Sequence, residues 1–384
     1  MIKNHRIIFL QTLPWNWTAD FQKQTASILS KNNLIIVYSV NNQQSAIRFI
    51  ISLFKKIYLL NHSQNNIIFH NQVIFFPNKR FTLLKKLNSW INYLYLFTVY
   101  KPSFLWTSDP RTYIPYKLIN LFRQNKLLYD CSDYHWHPNP REDQLIKTNE
   151  KKLIEESNFF IVNSYSLHEL HKKIKTPDAV VPQGFAVDNF SKEKLSTLVS
   201  QINKTPTLGF IGGINYRLDI SLISNLINNN PNWNFVFVGP KQLNQIPGDQ
   251  KVFQQLDKLF ERSNVKYIDS IPREEIGNYI QSFDIGFIPY DISYRFNLYC
   301  YPMKLFEYFY FGKPVISSPI KELMLPKFKD LVYIANDVLE WEKHIKILIS
   351  AQWGQDKKSK QKKMAVDNSW ERKVKAICDI VSPN

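Results

Sequence analysis

Apolar residues run along this chain in short unbroken stretches, separated by longer amphipathic segments, in two successive series. In the first series the stretches cover residues 6–10, 34–40, 104–106, 126–129, 159–162 and 179–181. They are apolar on both faces, which predicts strands of a parallel sheet covered by helices rather than an exposed sheet with alternating faces. The second series is punctuated by glycine, with strands predicted at 207–211, 233–238, 264–268, 285–288 and 315–318. Between the series, residues 191–205 carry Lys and Pro with no apolar period, as a linker does. The expected organisation is a domain over 1–190, a linker over 191–205, a domain over 206–365 and a closing helix over 366–384.

The most sharply bounded segment is 299–318, YCYPMKLFEYFYFGKPVISS. Pro302 suits the first turn of a helix, Gly312 suits the position just past its end, and Lys313-Pro314 stops it before a buried strand. Lys304 and Glu307 share one face of that helix. A helix start with a nearby ammonium favours a diphosphate, and a carboxylate one turn further in suits sugar hydroxyls. A surface Lys–Glu pair is the plainer reading of the same spacing.

The run Pro302-Met-Lys304-Leu-Phe-Glu307-Tyr followed by Phe311-Gly-Lys-Pro-Val-Ile-Ser-Ser resembles the signature of GT-B glycosyltransferases of the family 4, or group 1, kind. The resemblance covers most of residues 205–340 and the first half in outline. It implies an α/β fold of two Rossmann-like domains facing a cleft, with the C-terminal helix returning to the first domain. It also implies that Glu307 holds the ribose of a sugar nucleotide. The fuller pattern of the family has another Glu eight residues earlier, where this chain has Tyr299.

Composition narrows the partners. Lys and Arg number 49 against 32 acidic residues, leaving a net charge of +17 that favours an anionic partner. Three cysteines, Cys131, Cys300 and Cys378, are too scattered for a disulfide framework or a short metal-binding motif, which suits a reducing cytoplasm. The first residues lack the apolar core of a signal peptide, and the 90–106 stretch is too polar to span a bilayer. Two segments, 47–60 and 80–97, set basic residues beside a broad apolar face. Each is either a helix lying on an anionic membrane or a helix packed on its own sheet.

Candidate chemistry gathers after the predicted strands, where ligands of open parallel sheets collect. The first such loop, 11–17, has Trp15 and Trp17 but no glycine, so the first half is expected to receive something other than a nucleotide. Asp109 and Arg111 form a strand-end polar turn. The densest acid–base cluster is Asp130-Cys-Ser-Asp133-Tyr-His135-Trp-His137. Asp133 or His135 is the choice for a group near the acceptor hydroxyl, with Asp130 as a third candidate or a turn cap. His135-x-His137 alone supplies two ligands, fewer than a zinc site needs, and no metal is expected.

In the second half, Gly212-Gly213 follows the first strand, as a turn that approaches phosphate requires. By position in the resembling family, Gly212, Gly213, Arg217, Gly239 and Lys304 surround the donor diphosphate. The loop at Ile271-Pro272 meets the base through backbone groups, and Tyr290 with Arg295 and Asn297 faces the donor sugar. The implied activity is metal-independent transfer of a sugar from a nucleoside-diphosphate donor to a hydroxyl of a glycan or lipid-linked glycan, with no cofactor; a retaining course follows most of the family, and an inverting one would use Asp133 or Asp130 as base. The expected location is the cytoplasm or the inner face of the membrane, with no nucleic-acid partner. A sugar-nucleotide epimerase of the same fold and a non-catalytic basic binding protein are the alternatives.

Overall fold

A computed structural model of the chain describes residues 2–12, 15, 21–45, 47, 66–76, 82–113, 117, 125–190, 205–242 and 249–382. The chain divides into two compact units, one of Met1–Pro182 with Trp370–Asn384 and the other of Gln183–Ser369. The expected segment 47–60, apart from Ile47, and residues 191–204 of the expected linker lie outside the described residues, as does Trp17.

The first unit contains strands β1 (Arg6–Gln11), β2 (Leu34–Ser45), β3 (Ile67–Ile74), β4 (Phe104–Thr107), β5 (Lys126–Cys131), β6 (Phe159–Val162) and β7 (Ala179–Val180). They form one sheet in the order β3-β2-β1-β4-β5-β6-β7, and every neighbouring pair is parallel. Ile7, Ile8, Leu10, Ile35, Ile36, Leu127 and Phe160 are fully buried, as two-sided apolar strands must be. β3 carries His70, Asn71 and Gln72 among its apolar residues, so it has no unbroken apolar run by which to be recognised. The closing helix Trp370–Val381 belongs to this unit and buries Trp370, Val374, Ile377 and Val381.

The helix Thr82–Tyr95 buries polar residues and exposes an apolar stripe. Its buried residues include Asn88 and Asn92, both fully buried or nearly so, beside Tyr93. Asn92 accepts from Val73 N at 2.7 Å and donates to Val73 O at 2.8 Å, while Asn88 bonds Phe75 and Phe76 in the same way. These side chains satisfy backbone groups at the β3 margin. Leu83, Leu87, Trp90 and Leu94, spaced along one stripe, are exposed by 77%, 42%, 44% and 38%.

The second unit contains β8 (Thr207–Ile211), β9 (Asn234–Val238), β10 (Val265–Ile268), β11 (Ile285–Ile288), β12 (Val315–Ser317) and β13 (Val332–Ile334). Their order is β10-β9-β8-β11-β12-β13, again all parallel. Strand order reverses between β8 and β11, so the crevice at their carboxyl ends is where this architecture takes a ligand.

The signature segment forms the helix Lys304–Tyr310, preceded by Pro302, whose carbonyl accepts from Leu305 N at 3.1 Å. Gly312 takes φ +63°, and Lys313 N closes the helix end on Tyr308 O at 3.0 Å. The Lys-rich stretch 355–363 is helical and mostly exposed. It forms the helix Gln355–Asp367, whose Gln361 is fully buried and donates to Lys313 O at 2.9 Å.

Candidate functional site

In the second unit the expected residues come together at the β8–β11 switch point. Gly212 and Gly239 end β8 and β9 with φ of +129° and +142°. A Cβ on Gly239 would stand 2.2 Å from Gly212 O, so these two backbones touch because neither carries a side chain. The turn is held by Gly212 N to Val238 O at 2.9 Å and Ile214 N to Pro240 O at 2.9 Å. Gly213 has Gln242 where its own side chain would be, and Gln242 in turn accepts from Asn215 Nδ2 at 2.7 Å.

Lys304 enters this turn from the start of its helix. A Cβ on Gly212 would lie 3.3 Å from Lys304 Nζ, so the missing side chain leaves room beside the ammonium. The Nζ donates to Tyr290 Oη and lies 4.0 Å from the centre of the Phe210 ring and 4.5 Å from that of Tyr290. Lys304 is buried, and burial holds its pKa below the usual 10.5, with Arg217 adding to the effect and Tyr290 and Glu307 opposing it. Arg217 lies over Tyr290 at 4.3 Å and over Phe296 at 4.7 Å. Two cations thus share one aromatic wall.

Asn297, expected to face the donor sugar, is fully buried instead. It accepts from Arg217 Nε at 2.8 Å and donates to Arg217 O at 3.0 Å and Asp291 O at 2.8 Å, fixing both the guanidinium and its backbone. Arg295 lies over Tyr299 at 5.6 Å. Tyr299 Oη accepts from Lys321 Nζ at 2.9 Å, and this bond to a cation lowers the phenol's pKa.

Glu307 is on the Lys304 face, mostly buried, with Arg273 NH2 3.9 Å from its carboxylate. Pro272 is the residue that starts the turn carrying Arg273. Arg273 was not distinguishable in the sequence, because it is far from Glu307 along the chain. A 540 Å³ cavity in the same unit is lined by Pro206, Asp284 and Pro314, which precede β8, β11 and β12. It therefore opens at the amino ends of the strands and includes none of the expected site residues.

In the first unit, Asp109 and Arg111 turn on each other. Arg111 NH2 lies 2.7 Å from Asp109 Oδ2, and Thr12 also donates to that oxygen. Burial opposes ionisation of Asp109, but the hydrogen bonds and charge of Arg111, the nearby His135 and the Thr12 hydrogen bond together outweigh it and lower the pKa. Trp15 packs edge-on against Phe69 at 5.2 Å.

The three expected acid–base residues separate. Asp130 is wholly buried, with its Oδ1 3.7 Å from Nζ of Lys373 on the closing helix. Burial raises the Asp130 pKa and lowers that of Lys373, and each charge opposes the other's shift. This is the surrounding of a structural ion pair, and Lys373 gave no signal in the sequence because the two positions are distant in the chain. Asp133 is partly exposed in the loop after β5, with Ser132 Oγ 3.4 Å from its carboxylate. His135 turns toward Cys131 and Glu150.

Comparisons with known proteins bear on the family and the fold. Residues 191–365 match the family described as glycosyl transferases group 1. The chain is 32% identical over 215 residues to the putative teichuronic acid biosynthesis glycosyltransferase TuaH of Bacillus subtilis (strain 168), a match covering 52% of each, so it spans about half the length of that relative. Anabaena Alr3699/HepE in complex with UDP and glucose has TM-score 0.72 at 14% identity, covering 99% of this chain and 100% of that one. Sucrose-phosphate synthase (tll1590) from Thermosynechococcus elongatus has TM-score 0.72 at 12% identity, covering 98% of both. At such identities the likeness is one of fold.

Proposed function

We propose that this protein transfers a sugar from a nucleoside-diphosphate donor to a hydroxyl of a glycan or lipid-linked glycan, a reading supported by the match of residues 191–365 to glycosyl transferases group 1 and by the GT-B fold. The observation that carries the reading is the Lys304 ammonium beside Gly212 at the switch point of the second sheet. The diphosphate lies along the Gly212–Gly213 turn, with Lys304 and Arg217 balancing its charge as it departs. Glu307 takes the ribose hydroxyls, and Arg273 holds its carboxylate in place. The backbone around Pro272 meets the base. Tyr290 orients Lys304.

In the transfer the bond from the sugar's anomeric carbon to the diphosphate oxygen breaks, and a bond to the acceptor oxygen forms. On a retaining course the acceptor proton passes to the departing diphosphate oxygen, and Asp133 orients the acceptor. Two cations at the diphosphate balance its charge, so this step is written without a metal ion.

The acceptor reading draws support from the stripe Leu83, Leu87, Trp90 and Leu94. An exposed apolar stripe on a chain of net charge +17 suits the surface of an anionic bilayer, where a lipid-linked acceptor would reside. No helix among the described residues is long and apolar enough to cross a membrane.

The test is a panel of UDP-, GDP- and ADP-sugars, beginning with UDP-glucose, incubated with and without lipid-linked glycan extracts. Acceptor-dependent release of nucleoside diphosphate with an α-linked product from an α-linked donor is the expected result. Release without acceptor, or a change in the donor sugar itself, would favour the epimerase reading. A chain that binds none of the donors would remove the proposal.

A further inference from the structure

Four side chains that no short motif connects meet behind the β5 end of the first unit. Cys131 is the last residue of β5, and His135 lies four residues on in the loop. Glu150 comes from the helix Pro140–Glu156, and His171 ends the helix Tyr165–His171. Ligand atoms of Cys131, His135 and Glu150 all lie within 4.8 Å of one another. His171 Nε2 is 3.8 Å from Cys131 Sγ and 3.8 Å from Glu150 Oε1, and Cys131 Sγ is 3.8 Å from Glu150 Oε1. Tetrahedral zinc with Zn–S near 2.3 Å and Zn–N or Zn–O near 2.0 Å requires ligand-to-ligand distances of about 3.3–3.6 Å. Closing the 3.8 Å separations takes shifts of a few tenths of an ångström, and drawing in His135, whose ring nitrogen lies within 4.8 Å of the Cys131 and Glu150 ligand atoms, takes up to about 1.2–1.5 Å.

Two further observations point to an ion. His135 Nε2 is buried without a hydrogen-bond partner. Tyr129 Oη donates to Glu150 Oε1 at 2.8 Å, the kind of outer bond that orients a ligating carboxylate. Cys131, Glu150 and His171 are all buried. A divalent ion with one thiolate and one carboxylate makes a cluster of no net charge, which a buried site favours.

We propose that Cys131, His135, Glu150 and His171 form a binding site for a divalent transition ion of the zinc type. The sulfur and imidazole donors select against magnesium and calcium, whose sites are built of oxygen. The site goes beyond the transfer reaction, because the role proposed for its four residues is to hold an ion and not to bind the donor. It pins the 131–135 loop that carries Asp133 to two helices. The sequence reading, with only His135-x-His137 in view, expected no metal; the second imidazole comes from position 171 instead.

The test uses the full chain, stripped of metal and titrated with Co²⁺ and Zn²⁺. Binding of one Co²⁺ per chain with a thiolate-to-cobalt charge-transfer band, displaced by Zn²⁺, is expected. The band disappears in Cys131→Ser and persists in Cys300→Ser and Cys378→Ser. Glu150→Gln, which still accepts from Tyr129, keeps the band but weakens binding at least tenfold, and serves if Cys131→Ser does not fold. Lys304→Met binds Co²⁺ as the parent does, so failure of the donor site leaves this result distinct. No stoichiometric binding to the parent chain, or a band that survives in Cys131→Ser, overturns the assignment.

Discussion

Replacing Lys304 by Met should move stability and donor binding in opposite directions. Its ammonium is buried among Phe210, Tyr290 and the Gly212 backbone, with one hydroxyl as hydrogen-bond partner. A buried charge with little compensation is destabilising, so an apolar side chain of similar length should leave the fold unchanged within about 1 kcal/mol or stabilise it. A hydrogen bond to a charged group contributes about 1.5–3 kcal/mol, so the affinity for a nucleoside diphosphate should fall roughly 10- to 150-fold. The pH dependence follows from the lowered pKa. The unfolded chain holds the Lys304 proton more tightly than the folded one. This group therefore adds stability as pH rises from its folded pKa toward 10.5, while donor affinity falls over the same range as the charge is lost. The Met variant should lack both slopes. Urea denaturation and calorimetric titration with UDP, GDP and ADP, from neutral pH upward, measure them. An affinity within threefold of the parent chain, or a loss of more than about 2 kcal/mol of stability, would refute the reasoning.

Gly239→Ala places a Cβ against Gly212 O at a φ of +142° and should destabilise the second unit by about 3 kcal/mol or more, read by urea denaturation; a loss under 1 kcal/mol would contradict the close approach. Lys373→Met leaves the Asp130 charge buried alone and should cost about 3–5 kcal/mol, much of it recovered in the double variant with Asp130→Asn. Equal losses in the single and double variants would argue against a coupled pair. Leu87→Glu with Trp90→Glu should reduce flotation with anionic vesicles at least tenfold without altering UDP binding, and unchanged flotation would dismiss the stripe as a membrane contact.

Both parallel sheets were legible in the sequence because their central strands are apolar on both faces, so runs such as 6–10 and 207–211 stand out. The helix Lys304–Tyr310 was legible because Pro302 and Gly312 mark its ends by backbone chemistry. β3 was missed because His70, Asn71 and Gln72 interrupt it. The helix Gln355–Asp367 was missed because it buries only Gln361 and Ala365, leaving no apolar period among its lysines. At the proposed donor site, the residues that carry charge were readable and those that hold them were not. Arg273 beside Glu307, Asn297 around Arg217 and Lys321 on Tyr299 are each fixed by tertiary contact. The same holds for Asp130, which by type and position resembled a catalytic carboxylate until Lys373 was seen against it. Spacing along the chain conveys neither relation.

The central claim is that the turn at Gly212 and the start of the Lys304 helix grip a diphosphate while Glu307 takes the ribose. Its most direct test is the thermal midpoint of the parent chain and of Glu307→Ala with saturating UDP, GDP or ADP. The account predicts a clear rise for one of the three in the parent chain and a rise reduced by at least half in the variant. No rise with any nucleotide, or the same rise in both proteins, would contradict it.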